Sequence, residues 1–304
     1  MVAALTTADL LSRVKAHAQL PTTEGRLTDA EILALADEVL RTTCSDLLVG
    51  ARSQWWTTAA ADVSIVSGTY LYAVPERALA EGVSDVLITD GTHEWSAPEV
   101  TLAEAWRYRE GHGGWDSPHA YVWRDERLEL LPHPTATAYS LRILYPRRPS
   151  RLVTVASCAV VSSSTSTSIT ITTASPSGWA SSEALDVISA TTGRQRGVDL
   201  AGTSIGATNI TLSAGVPTGT AAGDYVALDG ETCVPPLPEP VFDVLTAATT
   251  LEVLMAIGDS DGLQAAGLRL QQRISRAQSL LSPRSRGASR KIVAHGYGTR
   301  RGRR

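Results

Sequence analysis

The spacing of apolar residues changes twice along this chain, and those changes restrict its fold more than any single motif. At both ends apolar positions recur every three or four residues, as on helices with one buried face. Between the ends they alternate with polar residues, as on strands with one buried face. Leu10, Leu11, Val14 and Ala18 predict a short helix over Thr7–Gln19, stopped by Pro21. Thr28 and Glu31 match a capping box: the Thr28 hydroxyl can accept the Glu31 N–H while the carboxylate reaches back. Ile32, Leu33, Leu35, Ala36, Val39, Leu40 and Leu47 follow as a wide apolar stripe on a long helix to about Gly50. Near the other end, Pro235–Pro240 reads as a stiff connector. Helices are predicted over Val241–Ile257 and Leu263–Leu281, with a break at Gly258–Gly262 and a stop at Pro283. Neither end can bury its apolar stripe alone, so the two ends should pack together.

The middle of the chain reads as strands. Val63 and Ile65, then Tyr70, Tyr72 and Val74, flank Ser67–Thr69, a hairpin signal. Val86–Ile88 and His93–Trp95 flank Asp90–Gly91, a second. Tyr121 and Trp123 face Leu128 and Leu130 across Arg124–Arg127, a third, and Leu141–Tyr145 adds a closing strand. A short helix is expected over Leu102–Arg109, before a Gly-rich loop at Gly111–Trp115. Residues 152–233 are dominated by Ser, Thr, Gly, Val and Ala. Alternation at Ile169/Ile171, Ile210/Leu212 and Val226/Leu228, with Trp179, Leu185, Val187 and Ile188, predicts a small β module rather than a linker.

The expected class is therefore α+β: a helical bundle formed by N- and C-terminal helices, with inserted antiparallel β-domains. The expected divisions are 1–53 with 239–283 as helical core, 54–151 as a β-domain, 152–234 as the Ser/Thr-rich module and 284–304 as a terminal arm. No signal peptide is evident at Met1–Leu11, and the best apolar stretch, Leu251–Ile257, is far below the roughly 18 residues of a membrane span. Cys44, Cys158 and Cys233 give neither a disulfide framework nor a metal knuckle.

Charge is distributed unevenly. No Asp or Glu follows Asp261, while eleven of the 27 basic residues do, leaving 16 basic against all 31 acidic residues in positions 1–268. An acidic body thus carries a basic end, which the net charge of −4 conceals. The arm comprises Arg284, Arg286, Arg290, Lys291, Arg300, Arg301, Arg303 and Arg304, with Ile292, Val293 and Tyr297 between the charges. Arg269, Arg273 and Arg276 continue the charge onto one helix face. Like charges and few apolar residues predict an arm that orders only against an anionic partner, an acidic protein surface or nucleic acid.

Motifs for chemistry fail on context. Gly202, Ser204 and Gly206 match G-x-S-x-G, but the next residues read as a strand instead of the helix a nucleophile elbow needs. His112, Asp116, His119 and His133 offer metal-ligand types at spacings that fit no metal-binding helix. Asp259, Asp261 and Gly262 open like a calcium loop, yet Leu270 stands where a bidentate Glu is required. No catalytic residue, metal site or cofactor is expected, and the chain is not expected to be an enzyme.

A resemblance emerges from the order of several phrases: Leu10–Lys15, Leu27–Ala36, Ser67–Pro75, Leu128–Pro132, Leu144–Pro149, Gly223–Leu228 and Ile257–Leu263. Together they resemble the head-to-tail adaptor (connector, head completion) proteins of tailed bacteriophages. That resemblance implies a structural virion protein, assembled in the host cytoplasm as a homo-oligomeric ring, a dodecamer, at the head–tail junction. Its implied partners are the portal, the next tail or nozzle protein, and DNA passing through the channel without sequence specificity, with no membrane. Two alternatives stay open: a nucleic-acid-binding protein using the basic arm, or a β-rich tail protein binding glycan or metal.

Overall fold

The computed structural model describes residues 4–20, 26–50, 59–79, 82–109, 118–135, 139–172 and 174–281. Its architecture is mixed helix and strand, with sheets that are antiparallel apart from one short pair. Helix α1 (Thr7–His17) starts from a capping box the sequence reading missed, with Thr6 and Asp9 exchanging hydrogen bonds. It buries Leu10, Leu11 and Val14, and Ala18 follows them into the core. Helix α2 (Asp29–Val39) starts from the predicted box. The Glu31 N–H donates to Thr28 Oγ1 at 3.3 Å, and the Thr28 N–H donates to Glu31 Oε2 at 2.7 Å.

The predicted helix to Gly50 is continuous but not uniform. A π turn at Leu40–Cys44 links α2 to α3 (Ser45–Gly50), and the Ser45 hydroxyl donates to the Leu40 carbonyl at 2.9 Å. A π turn inserts one extra residue, so the buried face moves one place along. Leu48, not the predicted Leu47, therefore joins Leu40 and Cys44 as fully buried.

The hairpin predicted at Ser67–Thr69 is overturned. The chain does reverse there, with Gly68 at φ +79°, but the arms enter different sheets. Strand β1 (Ala59–Ser64) pairs with the distant β7 (Ser140–Tyr145), and β2 (Leu71–Ala73) pairs with β6 (Arg127–Leu131). At the turn the Thr69 N–H donates to the Val66 carbonyl at 3.0 Å, while the Tyr72 hydroxyl donates to the Thr69 carbonyl and accepts the Val66 N–H, and no strand ladder continues from it. The other hairpins form as predicted. Strands β3 (Asp85–Thr89) and β4 (Glu94–Ser96) join through Asp90–Gly91. Strands β5 (Ala120–Arg124) and β6 pair Tyr121 with Leu130 and Trp123 with Leu128. Helix α4 (Leu102–Arg109) lies between these two hairpins. Strand β7 is not an edge: it lies between β1 and β3 in the order β1-β7-β3-β4, and its Leu141 and Ile143 share a core with Val86, Ile88, Leu128 and Leu130.

The Ser/Thr-rich stretch folds as a closed six-stranded barrel, ordered β10-β13-β12-β11-β14-β9. Its strands are β9 (Ala159–Ser164), β10 (Ser168–Ile171), β11 (Ala184–Ile188), β12 (Gln195–Ile205), β13 (Asn209–Leu212) and β14 (Tyr225–Leu228). The alternating Ile169, Ile171, Ile210, Leu212 and Val226 point inward, so the hydroxyl side chains fall on the outside. Short strands β8 (Arg151–Leu152) and β15 (Glu231–Thr232) pair in parallel where the chain enters and leaves the barrel.

Helix α5 (Glu239–Ile257) carries Pro240 in its first turn and ends on Gly258 in the left-handed region, φ +76°. Helix α6 (Ser260–Leu281) follows at once, its Gly262 N–H capped by Asp259 Oδ1 at 3.1 Å, so the predicted break shrinks to Gly258–Asp259. By length and composition α5 could cross a membrane, a point missed because its threonines interrupt the apolar run. Here it is the central core helix. Phe242, Leu245 and Val253 of α5 share one cluster with Leu10 and Val14 of α1, Ile32 and Leu40, and Ala266 of α6. Thr246 and Thr250 donate their hydroxyls to carbonyls one turn back, at 3.0 and 2.7 Å, and so can be buried.

Candidate functional site

Arg269, Arg273 and Arg276 lie on one face of α6, and half-exposed Leu280 extends their line. That face forms one wall of a groove of about 1190 Å³. The opposite wall is the end of α1, with Arg13 and His17, and the floor is α5, with Thr246, Ala247 and Thr250. Asp243 on α5 serves arginines from both walls: Arg273 Nη1 donates to Oδ2 at 2.9 Å, and Arg13 Nη1 lies 3.6 Å from Oδ1. The Arg13 guanidinium also sits over the Phe242 ring, 5.4 Å from its centroid. Among the described residues Arg269 and Arg276 make no ion pair. One carboxylate thus faces four guanidinium groups along most of the groove, while Asp259 and Asp261 line it near the α5–α6 turn. The expected arm, Arg284 to Arg304, lies outside the described residues, as does the loop with His112 and Asp116.

A second charged cluster joins the first β-domain to the barrel. Arg77 Nη1 lies 2.7 Å from Asp229 Oδ1, 2.9 Å from Asp199 Oδ1 and 3.0 Å from Asp186 Oδ2. These three carboxylates come within 4.8 Å of one another, a grouping suited to a cation, and the guanidinium occupies that position. Arg77 Nη2 and Gln195 Nε2 both donate to Ser150 Oγ, tying in the connecting segment. Burial raises the Asp186 carboxyl above its ordinary range and outweighs Arg77, since three carboxylates share so little positive charge. Burial, and a hydrogen bond with Asp199, push Asp229 up to about 7. At Arg77 burial opposes ionisation, but the surrounding carboxylates prevail and hold the guanidinium more firmly protonated.

A third cluster lies on β6. Glu129 is fully buried and accepts from Arg109 Nε at 2.9 Å, Arg124 Nη1 at 3.3 Å and His133 Nε2 at 3.0 Å. Burial works to raise its pKa, but His133 and the arginines overcome it and hold it below the ordinary range. His133 also stacks on Tyr70, 4.2 Å between centroids, and His119 tilts against Tyr108. Each histidine therefore sits in a packed or ion-paired setting. Gly202, Ser204 and Gly206 run from the end of β12 into the turn to β13, so the motif is a strand-to-strand connection. Burial pushes the Cys44 thiol up to about 12, and a hydrogen bond with Cys233 together with burial raises Cys158, so neither offers a thiolate at neutral pH.

The site residues thus hold surfaces together or present charge outward. The comparison with protein families agrees with that character: the model described as SU10 adaptor protein matches residues 5–176, more than half of the chain. The chain belongs to the SU10 adaptor protein family. It is accordingly a structural adaptor of a bacteriophage particle, a virion component of the head–tail junction. No curated protein matches it. The matched segment runs from α1 to the end of β10, so helices α5 and α6 of this adaptor, with all eleven late cations, lie beyond it. Sequence reasoning missed the Arg77 and Glu129 clusters. The only signal was a charged residue inside an apolar alternation, as at Glu129 between Leu128 and Leu130.

Proposed function

We propose that this adaptor assembles as a ring, a dodecamer, beneath the portal, docks there through its basic C-terminal arm, and connects the capsid to the next tail or nozzle protein. The helices act as a bundle that carries the β-domains, and the ring performs no catalysis. The observation that carries this reading is the charge split within a chain of the adaptor family: 16 basic against 31 acidic residues up to position 268, then eleven cations and no acid. An acidic body around a channel repels DNA and lets it slide without sequence preference. A basic arm on every subunit gives a multivalent, salt-sensitive grip on an acidic portal face.

The experiment is co-sedimentation of the full chain and of a chain ending at Pro283 with purified portal across a salt series. The truncated chain should lose portal binding with its thermal transition unchanged, and high salt should mimic the cut for the full chain. Normal portal binding by the truncated chain, coupled with loss of DNA retention, would replace this reading with a nucleic-acid-binding one.

A further inference from the structure

The α1–α6 groove carries four arginines on its walls, with Asp243 on its floor and Asp259 and Asp261 near the α5–α6 turn. Thr246, Ala247 and Thr250 let another backbone approach α5 closely, while Arg269 and Arg276 stand seven residues apart, about 10.5 Å along the helix. An occupant must carry carboxylates about two helical turns apart. The chain's own basic arm has the wrong sign for walls that carry Arg13, Arg269, Arg273 and Arg276.

The α2–α3 helix has the required pattern on its exposed side. Glu31 and Glu38 are seven residues apart with the small Ala34 between them, all three exposed. Asp46 lies eight residues beyond Glu38, and the residue inserted by the π turn keeps it in line with them. Among the described residues Glu38 and Asp46 make no ion pair, and Glu31 bonds only its own cap, Thr28. The opposite side of this helix is committed to the core through Ile32, Val39, Leu40 and Leu48. The acidic stripe therefore cannot turn to reach the groove of its own chain.

We propose that the α1–α6 groove receives the acidic face of the α2–α3 helix of a second copy of this chain. Each copy presents one groove and one stripe on different faces, so the contact is head-to-tail and repeats until a ring closes. Glu38 and Asp46 of one copy lie against the unpaired Arg269 and Arg276 of the next, beyond which half-exposed Leu280 continues the same helix face.

This inference rests on the ring reading above, yet the two fail separately: losing the arm removes portal binding, whereas losing the groove removes self-association. Sedimentation velocity over a concentration series is the measurement, with circular dichroism and thermal midpoints as controls for folding. Arg269→Glu with Arg276→Glu, or Glu38→Arg with Asp46→Arg, should weaken self-association about tenfold or more, and combining both pairs should restore it. Independently of those reversals, an equimolar mixture of Glu38→Cys and Arg276→Cys chains should form a disulfide between chains that neither forms alone. Wild-type association by either double reversal, or no recovery in the combined variant, would overturn the proposal. So would a wild-type chain that stays monomeric while the mixed cysteine variants remain unlinked. Reversal of the groove charges that spares self-association but abolishes portal or DNA binding would assign the groove to that partner instead.

Discussion

Replacing Arg77 with Met tests whether the guanidinium at the junction holds the barrel to the first β-domain. Arg77 is 13% exposed and Asp186 is fully buried, whereas Asp199 and Asp229 remain 48% and 42% exposed. Removing one partner of a buried pair costs about 3–5 kcal/mol, and each half-exposed pair adds no more than about 1 kcal/mol. Asp186 keeps two other donors, Gln195 Nε2 at 2.9 Å and the Asp199 N–H at 3.1 Å, which places the loss near the lower bound, about 3 kcal/mol. For a unit of this size that lowers the transition by roughly 6–12 °C. Differential scanning calorimetry would record it, and proteolysis between β7 and β9 should accelerate in parallel. The penalty should also shrink as pH falls from 8 to 5, because the carboxylates left without a cation can then take up protons. Arg77→Met combined with Asp186→Leu should recover most of the loss, since no buried charge is stranded. A loss below about 1 kcal/mol, or one equal at both pH values, would refute the junction as an electrostatic clamp.

Two further outcomes are expected. Asp229 keeps its proton up to about 7 in the folded chain, against an ordinary value of 3.8, so its stabilising contribution is complete below about 4 and is lost as pH rises through 7. With 42% of the side chain exposed, screening reduces the effect to on the order of 1 kcal/mol, and Asp229→Asn should flatten the melting temperature between pH 4 and 7. Phe242→Ala opens a cavity where α5 meets α1 and should cost about 3–5 kcal/mol in urea unfolding followed by circular dichroism; a loss under 1 kcal/mol would show that α1 does not depend on that contact.

What could be read from the sequence was local, and what could not was decided by distant partners. The Thr28–Glu31 cap, the β5–β6 register and the inward residues of the barrel each depend on spacings of a few residues, and the structure has them as predicted. The Ser67–Thr69 turn carried an equally good local signal, but β1 and β2 found better apolar partners in β7 and β6, more than fifty residues away. Leu48 replaced Leu47 because a single inserted residue in a π turn leaves no mark on composition. Arg77 was invisible for a deeper reason. Asp186, Asp199 and Asp229 come together only because β11, β12 and β14 are neighbours in a closed barrel, and no periodicity in the chain encodes that order. The α6 arginines were legible as a face, but the groove that gives the face meaning needs α1, more than 250 residues earlier.

Closure of the barrel also bears on how such a chain would tolerate the proposed assembly in many copies. Strands rich in Ser, Thr and Val with little charge are prone to pair edge to edge, and a ring would hold neighbouring copies at high local concentration. The six-stranded order returns β9 to β10, so this most aggregation-prone stretch exposes no edge. The open sheets solve the same problem differently. Strands β2 and β4, at the ends of their sheets, span three residues each, and Arg142 on β7 reaches across to Asp62 and Glu94, placing charge on both edges of the larger sheet. The remaining edge, β5, is covered instead: the Val100 N–H donates to the Tyr121 carbonyl at 2.8 Å and the Tyr121 N–H to the Pro98 carbonyl at 3.0 Å, so the connection before α4 takes the place of another strand.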